Sequence, residues 1–239
     1  MAHEENAAVV AALYGYMGRE YTFSFKELIM SHINKLECIP ISEIRDAFVP
    51  IWQNVRKQYE EGFCASERNL QAILFMHLSQ QFKHENIRII VEPQWEIGED
   101  RAIPDIVMVE NDDVITDVFE IKYAPHAYPR IDRDIEKLFN YSNMSRRFFP
   151  VRIVPGNGKW VGKHPSISQN LRTHFVAIGK HDSAAVCPES LFKRLPPTND
   201  KCSTLFHWFG QACAESDKES LWGIALGKSD IKHISAENG

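Results

Sequence analysis

The chain has 239 residues, of which 44% are hydrophobic and 25% charged, with a formal net charge of −5. That leaves room for one large domain with a sizeable core. It counts against a protein that coats nucleic acid through a global basic field, though not against one with a local basic groove around an acidic site.

The five cysteines, Cys38, Cys64, Cys187, Cys202 and Cys213, make no C-x-x-C pair. They read as reduced thiols of a cytoplasmic protein and not as a zinc site. The start, "MAHEENAAVVAALYGYMGRE", has no basic segment followed by an apolar run, so no secretory signal is expected. No apolar run nears the ~18 residues of a membrane span, so no membrane partner is expected either. There is no Walker A motif and no dinucleotide fingerprint, hence no nucleotide cofactor.

Residues 4–17 and 24–36 read as helices, and a third spans about Ser42 to Glu61, with Pro50 kinking or dividing it and Gly62 ending it. Residues 1–62 thus form an N-terminal helical region. It carries no turn signature or basic recognition face of a helix-turn-helix. Ser66 is a suitable N-cap for "ERNLQAILFMHLSQQF", whose Leu70, Leu74 and Leu78 make a core face. Glu67 falls on that face, and an acid favoured by the helix dipole in a first turn is one sufficient reason for it.

Three strands follow: "IRIIVEPQWEI", with Pro93 at a bulge or edge, then "PDIVMVE" and "VITDVFEIK", joined by "ENDD" as a hairpin. "IDRDIEKLFNYSN" reads as a helix, "PGNGKWVGKHPSISQN" as a loop, "THFVAIGK" as a fourth strand and "PESLFKRL" as a short helix. One more helix is expected around "LFHWFGQACAES" and a late strand at "LWGIALG". The order predicts an α/β or α+β fold with a central mixed sheet of four to five strands flanked by helices.

The hairpin carries the chemistry. With its turn centred between Asp112 and Asp113, Asp105 falls opposite Glu120, and opposed side chains share a face with Cβ atoms about 5 Å apart. Lys122 shares that face with Glu120 by the two-residue period of a strand. Two carboxylates so close call for a shared proton or a cation. All-oxygen ligands favour Mg²⁺ or Mn²⁺, and a lysine beside them suits a phosphate oxygen or an attacking hydroxide. A buried ion pair of Lys122 with Asp105 or Glu120 accounts for the same spacing.

Pro104-Asp105, fourteen intervening residues and then Glu120-Ile121-Lys122 resemble the signature of the PD-(D/E)XK nuclease superfamily, the restriction-endonuclease-like fold. The element order helix, three strands, helix, strand resembles that family's core over about residues 63–180. Residues 63–239 would then be the nuclease-like domain, with 181–239 a C-terminal extension. The resemblance implies metal ligation by Asp105, Glu120 and the backbone carbonyl of Ile121. It also implies a water-activating role for Lys122 and a metal-linked or catalytic role for Glu67.

Arg101, Arg130, Lys137, Lys159 and Lys163 surround the motif in sequence, with Trp160 among them, and fit a surface that grips a nucleic-acid backbone. A solvated loop explains those in the glycine-rich stretch equally simply. His126, beside the motif, reads as a loop residue. The expected function is a metal-dependent nuclease, a DNA endonuclease of restriction, defence or repair type. DNA is favoured over RNA as its partner. A homodimer, or a separate partner chain of a defence or repair system, is compatible with the resemblance. The alternative is a catalytically silent nucleic-acid-binding or regulatory module on the same fold.

Overall fold

Among the described residues, seven strands make the central sheet, in the order β1 (Ile87–Val91), β2 (Ile106–Glu110), β3 (Val114–Ala124), β6 (Ser166–Gly179), β7 (Thr204–Gln211), β8 (Trp222–Leu226) and β9 (Asp230–His233). The structure is a computed structural model that describes residues 41–83, 86–93, 103–111, 113–142, 151–153, 161–163, 165–180, 183, 185–194, 204–212, 220–226 and 230–235. The helices expected over 4–17 and 24–36, and the candidates Arg101, Lys159 and Trp160, lie outside these residues. Two further strands, β4 (Val151–Ile153) and β5 (Val161–Lys163), pair separately. The helices are α1 (Ile41–Glu60), α2 (Glu67–Gln81), α3 (Asp132–Ser142) and α4 (Pro188–Arg194). None is long and apolar enough to cross a membrane.

The fold is mixed α/β, as expected, but its sheet is larger than four or five strands. β3, β6 and β7 run parallel and the outer pairs are antiparallel. Alternation along each strand divides the core in two. Ile106, Met108, Phe119, Ile121, Val176, Phe206 and Trp208 meet α1 and α2 on one face. Val107, Val109, Val118, Phe175, Ala177 and Phe209 meet α3 and α4 on the other.

The helix expected around "LFHWFGQACAES" is β7 through its first part: Phe206 and Trp208 point to one core and His207 and Phe209 to the other. A strand buried on both faces has no polar alternation to betray it. The stretch read as a loop from Pro155 to Asn170 contains β5 and the start of β6.

α1 continues through Pro50, which is exposed, so it is one helix and not two. It buries Phe48, Ile51, Trp52 and Val55, and the Trp52 indole donates to the Phe209 carbonyl at 3.1 Å. Residues 41–62, grouped by sequence with the N-terminal region, therefore pack in the core of the sheet unit, which spans residues 41–239. Residues beyond 180 supply β7, β8 and β9 of the same sheet.

Ser66 caps α2 as expected, its hydroxyl accepting from the Asn69 N–H at 3.2 Å. Leu70, Leu74 and Leu78 are buried.

Candidate active site at the end of the hairpin

The register of β2 on β3 sets the site. Ile106 pairs with Phe119 and Val107 with Val118, while Glu110 pairs with Val114. An irregularity between Met108 and Val109 takes up one residue, so the pairing beyond it matches the expected register and the pairing next to the turn does not. Asp105 extends the ladder by donating its N–H to the Phe119 carbonyl at 3.1 Å. Its own carbonyl accepts from the Glu92 N–H at 2.9 Å and from Gln71 at 3.0 Å. Asp105 therefore lies on the same side of the sheet as Glu120 and Lys122, near the C-terminal end of β3.

α3 returns along β3 and closes the site from above. Asp134, Lys137 and Tyr141, three and four residues apart, face the strand. Asp134 Oδ2 lies 3.0 Å from Lys122 Nζ. Lys137 Nζ donates to Glu120 Oε2 at 2.9 Å, and the Tyr141 hydroxyl donates to Glu120 Oε1 at 3.2 Å. Asp134 Oδ1 stands 3.6 Å from Lys137 Nζ.

Glu67 reaches the same place from the start of α2. Its Oε2 accepts from the Tyr123 N–H at 3.3 Å and lies 4.0 Å from Lys122 Nζ. Lys122 thus pairs with Asp134 and Glu67, and the expected ion pair with Asp105 or Glu120 is not the one formed. Lys137, read by sequence as part of a substrate-gripping surface, turns inward onto Glu120.

Two acids of β3 show what is unusual here. Asp117 is fully buried on the opposite face. Burial alone would raise its pKa, but the Arg172 guanidinium grips it in a fork at 2.7 and 2.6 Å and His174 adds a bond at 2.8 Å. Together they hold the carboxyl well below the usual range. Glu120 is 2% exposed. Burial, followed by the charge of Asp105, pushes its pKa up to about 7 despite Lys137. Burial pushes Asp105 up to about 6, against the Ile121 N–H bond and with Glu67 adding to the rise. Burial would depress the Lys122 ammonium, but Asp134, Glu67 and Asp105 outweigh it and raise its pKa. Asp117 is a satisfied structural acid, whereas Asp105 and Glu120 are crowded.

The carboxylate oxygens gathered here are of the type that hard divalent cations take. Asp105 Oδ2 accepts from the Ile121 N–H at 2.6 Å, while Oδ1 has no partner among the described residues. An ammonium already stands on Glu120. Four carboxyl groups, Glu67, Asp105, Glu120 and Asp134, face two ammonium groups, Lys122 and Lys137, a formal charge of −2 when all are ionised. Among the described residues, no three His, Cys, Asp or Glu side chains stand together in ligand geometry.

Of the basic candidates, Arg130 is exposed just before α3 and Lys163 ends β5. His126 is exposed in the loop after β3. Asp134 and Tyr141 belong to the site although the motif in the sequence does not mark them. Their i, i+3, i+7 spacing with Lys137, beside the apolar Ile131, Ile135 and Leu138, was the available signal.

Compared with protein-family models, curated proteins and solved structures, the chain matches none.

Proposed function

We propose that the protein is a metal-dependent nuclease with a restriction-endonuclease-like core, a DNA endonuclease of restriction, defence or repair type. The observation that carries this reading is the placement of Asp105 and Glu120 side by side on one face of the hairpin, both with raised pKa values, with Lys122 next along the strand. The site lies on β3 near its carboxyl end, the end of a parallel strand toward which open α/β sheets take their ligands.

Asp105 and Glu120 would hold Mg²⁺ or Mn²⁺. The Ile121 carbonyl, which in an extended strand points to the same edge as its N–H, would add a third oxygen. Held by these oxygens, such a cation would supply Lewis acidity for phosphodiester hydrolysis. Lys122 orients the attacking water and offsets charge developing on the phosphate oxygens. Asp134 holds the Lys122 ammonium in place, and Glu67 fixes it from the far side through contacts to Lys122 and the Tyr123 N–H. Tyr141 fixes the Glu120 carboxyl. At the rim, Arg130 is exposed and Lys180 Nζ lies 5.0 Å over the ring of the exposed Tyr128, a basic and aromatic edge suited to a polynucleotide.

The second reading is the catalytically silent nucleic-acid-binding or regulatory module. It is favoured by the cross-pairing of Lys122 with Asp134 and of Lys137 with Glu120, which offsets much of the charge without a metal. Plasmid and single-stranded DNA and RNA substrates, offered with Mg²⁺ or Mn²⁺, separate the two. The nuclease reading expects cleavage that Asp105→Asn abolishes. A folded wild type that binds Mn²⁺ yet cuts none of these substrates decides for the silent module.

A further inference from the structure

Resting on that reading of Asp105 and Glu120 as the cation seat, we infer that Lys137 is a built-in competitor for the cation. Its release from Glu120 would be coupled through Asp134 to the release of Lys122.

The geometry is a closed chain of alternating charge. Lys137 Nζ stands 2.9 Å from Glu120 Oε2 and 3.6 Å from Asp134 Oδ1, and Asp134 Oδ2 stands 3.0 Å from Lys122 Nζ. Glu120 has both oxygens engaged, one by Lys137 and one by Tyr141. A cation arriving at Glu120 on the Asp105 side meets the Lys137 ammonium as a like charge, at a carboxyl 2% exposed and so little screened by water.

Lys137 has one described acceptor other than Glu120, the second oxygen of Asp134 at 3.6 Å, and a small side-chain rotation brings it into hydrogen-bond contact. Asp134 is 8% exposed and is already bonded to Lys122. As it takes up Lys137, its hold on Lys122 weakens, and the Lys122 ammonium turns toward the seat. Occupancy of the seat and readiness of the lysine are thereby linked. Without a cation, the same two lysines keep the buried Glu120 and Asp134 and the exposed Glu67 paired. This explains why α3 carries Asp134 and Lys137 on the face that covers β3, where apolar residues would pack as well.

The test measures Mn²⁺ binding by isothermal titration calorimetry with the full chain. Wild type, Lys137→Met and Lys137→Gln are compared, with Glu120→Gln as the seat control. Methionine keeps the packing of the lysine stem, and glutamine also keeps a donor for Glu120, so the second variant serves if the first does not fold.

Removing the competitor should tighten Mn²⁺ binding by about tenfold or more, the size of one charged hydrogen bond. It should also enlarge the rise in Tm that Mn²⁺ produces, while Glu120→Gln binds weakly. A lysine that only supports the fold would leave affinity unchanged or lower it. In the Lys137→Met background, Asp134→Asn should change Mn²⁺ affinity less than it does in wild type, because the exchange partner is gone. Wild type that binds Mn²⁺ with no gain in either Lys137 variant overturns the competitor and leaves the cation seat standing. No binding in wild type or in either variant overturns both.

Discussion

The backbone N–H of Ile121 donates to the side chain of Asp105, at 2.6 Å, and not to a strand carbonyl. Asp105 thus occupies a position where the ladder of β2 and β3 would otherwise continue, and its side chain completes the hydrogen bonding of the neighbouring strand. The candidate ligand is therefore also a structural link, and its two roles separate by substitution.

Asp105→Asn keeps an oxygen for the Ile121 N–H and removes the charge. It should retain or slightly raise Tm without metal, because burial already disfavours the carboxylate there, and it should lose most Mn²⁺ affinity. Asp105→Ala leaves the Ile121 N–H without its acceptor and should lose about 1–3 kcal/mol of stability. Urea unfolding of both variants, beside Mn²⁺ titration, checks the pair. Equal destabilisation by Asn and Ala would mean that the carboxylate charge itself holds the strand ends together.

Lys122→Ala distinguishes catalysis from a supporting ion pair. In catalysis the ammonium matters most as charge develops on the phosphate, so turnover should fall by orders of magnitude with nucleic-acid binding largely retained. Stability should fall by only about 1–2 kcal/mol. That is less than the ~3–5 kcal/mol usual for breaking a buried pair, because Lys137 remains 3.6 Å from the stranded Asp134. Single-turnover kinetics and thermal melts of the same preparation measure both. A loss of folding with no activity to lose would return the site to the silent-module reading.

The hairpin, the helix bearing Glu67 and the helix after β3 were legible because their signals are local. An "ENDD" turn, a serine N-cap and a 3.6-residue apolar period each act within a few residues. What escaped was set by distant partners. β7 looked helical because two cores claim alternate residues of an unbroken apolar run. The destinations of Lys122 and Lys137 depend on how α3 lies over β3, which no spacing within either element records. Asp117 and Glu120 look alike as acids of one strand, and only their faces, one toward Arg172 and His174 and the other toward Asp105, make one structural and the other a candidate for chemistry.

β7 and β8 fit together through paired glycines and aromatics. Gly210 pairs with Trp222 and Phe209 with Gly223, so each strand lays a ring over the other's glycine. A Cβ at Gly210 would stand 2.6 Å from the Trp222 ring. Gly210→Ala should therefore cost about 1–3 kcal/mol, as overpacking does in a dense core. Chemical denaturation should show this loss, and a neutral result would mean that Trp222 swings aside freely.

His207 gives the core a pH dependence of known sign. It is fully buried, its ring stacks between Phe175 and Phe209, and Phe192 meets it edge-on. These neighbours carry no charge, and among the described residues neither ring nitrogen has a hydrogen-bond partner of good geometry. Burial therefore pushes the ring's pKa down to about 3, opposed only by a backbone contact at Phe175. In the unfolded chain the ring titrates near its ordinary 6.5. Between those values the unfolded chain binds the extra proton, so stability rises with pH across the window. The contribution is complete above about pH 6.5 and is lost progressively as pH falls toward 3. Its full size is on the order of 5 kcal/mol. His207→Phe keeps the aromatic stack and removes the titration. Unfolding free energies of wild type and variant from pH 4 to 8 should differ most at the acid end, with the variant relatively more stable there. Parallel curves over that range would show that the unprotonated ring is not what the core requires.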